Sequence, residues 1–276
     1  MMTETPDDLT QTYMVAKNEV IKFLRSRKFM LYGLLVVAIV ALMTLLPYAL
    51  GDGLSGSGGD IFSGYIGYAS LLVLLGATLF ASYSIVSEFE ERTALILFTR
   101  PLRKSTIFLG KFAACFALTG VVMVLYYAVS LVIAFAVSGE LVTSFAPSLV
   151  MCLLYVFATT GVAMLISSVM KKGGTSAVMT FVTILLLISV VSAVMSASGI
   201  DTWFMLDSAA SSITNSIPEY VASSNDLLVQ VGQELGVDMS GSMIEPADCV
   251  ASGGAMAAWG LVTLALAYLR FSRREF

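Results

Sequence analysis

The fifteen Lys and Arg residues of this chain fall only in alternate gaps between six long apolar runs, and the intervening gaps hold none. The runs are 29–50, 65–86, 112–137, 147–170, 176–198 and 250–269. Each is close to or above the ~20 residues that a helix rising ~1.5 Å per residue needs to cross a ~30 Å hydrocarbon layer. Basic residues occupy 1–28, 87–111, Lys171, Lys172 and the tail from Arg270, whereas the gaps 51–64, 138–146 and 199–249 carry eleven acidic residues instead. Cationic flanks resist translocation and acidic ones much less, so the sorting predicts an all-α, six-span membrane protein with both termini in the cytoplasm. The competing reading is a soluble bundle of six buried helices. A mean hydropathy of +0.89 with 12% charged residues leaves too little polar surface to wet a domain of that size.

The net charge of -4 conceals a strong asymmetry. The basic gaps suit an anionic cytoplasmic leaflet, and the others are purely acidic. The first apolar run follows a charged segment of nearly thirty residues and is long enough to span, so it reads as a retained anchor rather than a cleaved signal. Cys115, Cys152 and Cys249 cannot make a disulfide framework and read as small packing residues.

Within the six runs there is no Asp, Glu, Lys or Arg, and the chain has no His. Ion-coupled carriers, proton pumps and charged-filter channels place titratable or ion-coordinating groups at depth despite their cost, so these classes are disfavoured. Intramembrane hydrolysis is disfavoured too, because neither a His base, a His-rich zinc site nor a pair of buried carboxylates is present. On the fifth run Ser189, Ala193 and Ala197 recur every four residues, a small-residue stripe that allows close helix approach either within the subunit or between subunits.

The gaps on the basic side carry the interaction signals. In 9–28, Leu9, Tyr13, Ala16, Val20, Phe23 and Leu24 share an arc of about 100° on a helical wheel. Lys17, Lys22, Arg25 and Lys28 lie off that arc, so the segment reads as a basic amphipathic helix lying in the membrane interface. Between the second and third runs, 87–111 opens acidic with Glu88, Glu90 and Glu91, passes through the apolar 94–98 and turns basic around Pro101. That order suits a helix dipole, and Pro101 ends the helix. A short helix held between two spans would present its side chains to a soluble partner.

These stretches resemble the membrane subunits of export-type ATP-binding cassette transporters, the ABC type-2 permeases. The resemblance is carried by acidic residues before a Thr-Leu-rich helix, then Pro101, Arg103 and Gly110-Lys111, by an elbow-like 15–29, and by the turn 167–177 between runs four and five. It extends over nearly the whole chain. Arg92 stands where many members have Gly, and 94–98 lacks a further Glu. The resemblance implies a coupling helix seated on an ATPase subunit, with Glu88, Glu90, Glu91 and Arg92 making the contact and Pro101 and Arg103 shaping its exit. It also implies an elbow helix, including Tyr13, Lys17, Glu19, Val20, Phe23, Leu24 and Arg25, in the interface of a prokaryotic cell membrane. The partners implied are two ATP-binding cassette subunits, a second permease copy or homologue, and membrane lipid, with no nucleic acid.

No phosphate-binding loop is present, since Gly110-Lys111 is followed by Phe112 and lacks the upstream glycine; the resemblance then implies that ATP and magnesium are held by a partner subunit and that this chain is not itself catalytic. The long acidic segment 199–249 forms either short helices capping the pathway or a disordered loop. Met239, Met243 and Cys249, near Asp238 and Glu245, are the one irregular cluster of soft ligands, and the reading assigns no metal to it. Two other functions remain open from sequence: a scaffold or sensor that uses the acidic loop, and a secondary carrier.

Overall fold

A computed structural model describes residues 7–51, 56–90, 103–236 and 243–273 of the chain. Every regular element among them is helical. Six helical stretches are long and apolar enough to cross a membrane: Arg27–Ala49, Gly58–Glu88, Lys104–Ser138, Phe145–Val169, Gly173–Ala197 and Cys249–Ser272, here spans 1 to 6. A further helix, Asp8–Leu24, precedes span 1, and two more, Leu206–Asn215 and Pro218–Leu235, fill the acidic segment between spans 5 and 6.

Ser26 divides the first helix from span 1. Its hydroxyl donates to Phe23 O at 2.6 Å and accepts from Phe29 N at 3.3 Å, closing one helix while capping the next. Span 2 begins earlier than its apolar run because Ser57 and Asp60 make a reciprocal capping box. Span 3 has 35 residues. At ~1.5 Å per residue it is about 52 Å long, so its basic first turns extend past a ~30 Å hydrocarbon layer. Lys111 therefore belongs to the helix yet lies near its basic end.

Span 4 is the central post. Spans 2 and 4 are the most buried and span 1 the least, and span 4 touches helices from every side of the bundle. It packs most extensively on span 6, where Gly161 and Gly260 let the two backbones meet. A Cβ on Gly161 would come within 2.5 Å of Thr263 Oγ1, and one on Gly260 would overlap the Phe157 ring. Phe157 in turn packs edge-on to Phe112 and Phe116 of span 3.

Spans 2 and 5 each contain a π-turn, at Ala77–Ala81 and Thr183–Leu187. A π-turn disturbs the regular i to i−4 ladder. In span 2 the hydroxyl of Thr78 donates to Leu74 O at 2.7 Å and that of Ser82 donates to Thr78 O, supplying buried carbonyls with donors.

The acidic segment folds back onto the bundle. Leu206, Ala209, Ala210, Ile213 and Ile217 form a buried stripe that packs on span 4 and reaches spans 2 and 6. Ser148 of span 4 donates to Ile213 O at 2.6 Å and lies 2.9 Å from the Tyr127 hydroxyl. Asn225 ties the second helix of the segment to the stretch before span 6, accepting from Ile244 N at 2.8 Å and donating to Ile244 O at 3.0 Å. Of the two readings open for 199–249, the described residues follow the one with short helices.

Candidate functional site: a collar where span 2 ends

The loop between spans 2 and 3 leaves the bundle at its basic end, and the residues that launch it are gripped from four sides. The grip begins with a break in span 2. Helical pairing lapses around Ile85, between Ser82–Ser84 and Val86–Glu90. Ser167 near the end of span 4 fills the break, accepting from Ile85 N at 3.2 Å and Val86 N at 3.1 Å. One turn earlier, Ser176 of span 5 donates to Ser82 O at 2.6 Å.

Lys111 makes the third contact. It lies on the inward stripe of span 3 with Phe108 and Cys115 and is 1% exposed, so its charge requires partners. Its Nζ lies 2.6 Å from Glu19 Oε1 and 2.7 Å from Glu88 Oε1, and it donates to Ser84 O at 3.1 Å. One ammonium therefore ties the first helix, the end of span 2 and the start of span 3. With two carboxylates and one cation, the cluster carries a net negative formal charge.

Span 5 makes the fourth contact. Gly173 N donates to Glu90 Oε2 at 2.8 Å, placing a carboxylate at a helix N-terminus, where the dipole favours it. Gly173 is also where Tyr83 crosses: a Cβ there would fall inside the Tyr83 ring. The other face of this region is met by Lys28, whose Nζ lies 2.9 Å from the Tyr83 ring centroid.

The first helix is held against span 3 by close approach as well as by charge. A Cβ on Gly110 would come within 2.7 Å of Val15 and 3.0 Å of Thr12 O. The packed face of this helix is Thr12, Val15, Ala16, Glu19 and Phe23, with Phe23 edge-on to Phe80 at 5.5 Å. That face is rotated from the apolar arc read in the sequence. Glu19, which lies off that arc, sits at the centre of the packed face, paired with Lys111. Leu9, Tyr13 and Leu24 remain exposed beside exposed Lys17 and Arg25, and Val20 lies at the border.

Of the proposed partner-contact residues, Glu88 is buried in the Lys111 cluster, and Glu90 holds span 5. Arg103 is exposed and pairs with Asp8 at 2.8 Å. Glu91, Arg92 and Pro101 lie outside the described residues, as does the proposed coupling helix between them. Ser189 is half-buried, whereas Ala193 and Ala197 are exposed; the face of span 5 turned into the subunit is Ile184, Ile188 and Ser192. Of the soft-ligand cluster, Asp238 and Met239 lie outside the described residues, and Met243 is 47% exposed. Among the described residues no three His, Cys, Asp or Glu side chains converge as metal ligands do.

Sequence reasoning passed over Lys111, Ser167, Gly173 and Ser176 as individuals. A partial signal for Lys111 existed, since apolar Phe108 and Cys115 flank it at i−3 and i+4.

A family model described as ABC-2 family transporter protein matches residues 51–269. The chain belongs to the ABC-2 transporter permease family. The match covers spans 2 to 6 and so includes the collar, apart from the contribution of the first helix. No curated protein matches the chain. This ABC-2 permease is thus a multi-pass membrane transport subunit, and members of its family generally work with ATP-binding cassette subunits.

Proposed function

We propose that this permease is the membrane-spanning half of an ATP-driven exporter, with ATP and magnesium held by separate ATP-binding cassette subunits that dock on the loop between spans 2 and 3. The observation that carries this is the single buried Lys111, which bridges Glu19 and Glu88 at the root of that loop. A loop rooted in solvated, flexible chain would absorb a push. Here its first residues are bonded to the first helix and to spans 3, 4 and 5, so a displacement of the loop moves packed helices as a body.

The reading places the basic end in the cytoplasm of a prokaryote, with both termini on that side. Exposed Leu9, Tyr13 and Leu24 with neighbouring Lys17 and Arg25 suit an elbow helix that keeps part of its apolar arc for the membrane interface. Exposed Ala193 and Ala197 suit a close contact with span 5 of a second permease copy or a homologue.

Gentle solubilisation with co-purification, followed by vesicle transport, tests the proposal. An ATP-binding subunit is expected to co-purify, and Glu90→Ala with Glu91→Ala is expected to reduce transport at least tenfold while the ATPase still turns over. If no such subunit is retained and the double substitution leaves transport intact, the proposal fails.

A further inference from the structure

At the opposite, acidic end two cavities adjoin. The first is an open groove of about 730 Å³ running along span 6 and lined almost wholly by apolar groups, among them Trp203, Phe204, Gly254, Ala258, Trp259 and Leu266. Its volume falls within the ~300–1,000 Å³ typical of small-molecule sites. Its lining runs from Val250 to Leu266. That is about 24 Å of helix at ~1.5 Å per residue, longer than one ~15 Å leaflet and enough for a long alkyl chain. Of its two indoles, Trp259 donates Nε1–H to Phe204 O at 2.8 Å.

The second cavity, about 440 Å³, shares Trp203 and Ala251 with the first and is polar. Its chemistry is one-sided. Ser211 and Ser212 donate their hydroxyl protons to Ser208 O at 2.6 Å and Ala209 O at 2.5 Å, and Ser208 donates to Thr202 Oγ1 at 3.1 Å. Ser208 Oγ also lies 3.3 Å from Ser192 Oγ, and each of these hydroxyl oxygens retains acceptor capacity. Glu245 and Asp248 add two carboxylates; Asp248 uses Oδ1 to cap span 6 through Val250 N and Ala251 N, leaving Oδ2. The gaps 51–64, 138–146 and 199–249 at this end contain no Lys or Arg to neutralise them. Asn215 contributes the lining's amide donor. An acceptor-rich, negatively charged pocket opening into an apolar groove complements a hydrogen-bond-donating cation on a hydrocarbon tail. At the junction stands Trp203, whose indole face is the strongest aromatic partner for such a cation.

We propose that the two cavities form one binding site for a long-chain cationic amphiphile, with its ammonium among Ser208, Glu245 and Asp248 and its chain along span 6. The proposal does not rest on the exporter reading, because binding is read on the permease alone.

The chain has two tryptophans and both line the groove, so intrinsic fluorescence reports its occupancy. Purified permease in neutral detergent is titrated with dibromo-octadecylammonium and with the tail-matched dibromo-octadecanoate. Saturable quenching is expected, with the ammonium binding about tenfold tighter, as two partly exposed ion pairs would give. In Glu245→Gln with Asp248→Asn the preference should fall to within about twofold; Asn caps a helix as well as Asp, so span 6 keeps its start. A Cβ at Gly254 meets open space, and Gly254→Phe should fill the groove and remove saturable quenching by either probe. Non-saturable quenching, or saturable quenching blind to headgroup charge, overturns the proposal. So does absence of quenching in a permease that light scattering shows to be a dimer, which would mean that a second copy covers the groove.

Discussion

Lys111→Met removes the one cation that joins three helices at the collar. It leaves Glu19 and Glu88, with side chains 12% and 5% exposed, facing each other without a counter-charge. Breaking a buried ion pair from one side costs about 3–5 kcal/mol, because the remaining charge keeps its desolvation penalty. Here two carboxylates are stranded, and proton uptake by one of them limits the cost, so the same range is expected rather than double it. For a chain of this size each kcal/mol moves the unfolding midpoint by roughly 2–3 °C, so a loss of roughly 6–15 °C is expected. Glu19→Gln or Glu88→Gln should cost far less, since either leaves a balanced lysine–carboxylate pair. The triple variant Glu19→Gln, Lys111→Met, Glu88→Gln should recover most of the lost stability, as neutral replacements of buried ion clusters commonly do. Thermal unfolding in detergent, followed by intrinsic fluorescence and by monodispersity after heating, measures all four. A Lys111→Met midpoint within 2 °C of the parent, or a triple variant no better than the single, would refute the charge argument.

Three further outcomes follow from the same collar. Ser167→Ala deprives the Ile85 and Val86 amides of their acceptor and should destabilise by about 1–3 kcal/mol, with faster amide exchange at those two positions by mass spectrometry. Gly173→Ala places a methyl group in the Tyr83 ring, so it should lower the melting point, and Tyr83→Ala in the same chain should relieve part of the loss. Arg103→Ala breaks only the Asp8 pair, whose side chains are 75% and 53% exposed, and should change stability by at most about 1 kcal/mol in the same melts.

The legible and illegible parts of this protein divide along particular residues. The helix 8–24 was visible from its periodicity, but not its orientation. An amphipathic wheel puts Glu19 outside, and only the position of Lys111, 92 residues later, turns it inward. The start of span 2 was legible in principle from Ser57 and Asp60, since a capping box is a local signal. The break at Ile85 was not, because its justification is Ser167, 82 residues away. Glu88 and Glu90 were selected as partner contacts from the loop's charge order. Glu88 is buried against Lys111 and the exposed Glu90 accepts from Gly173 N at the start of span 5, while the apolar centre of the loop lies outside the described residues.

By itself the sequence determined the number of membrane-length helices and, through its charge sorting, predicted the side on which each loop belongs. Those properties depend on local hydropathy and on where cations lie along the chain, and neither needs a fold to be read. Tertiary structure decided which charges are topological markers and which are structural joints. Lys171 and Lys172 are exposed or nearly so, while Lys111, identical in kind, is buried with two carboxylates. The difference arises from distance in three dimensions: a buried ammonium persists only where packing brings acceptors from several helices to within hydrogen-bonding reach.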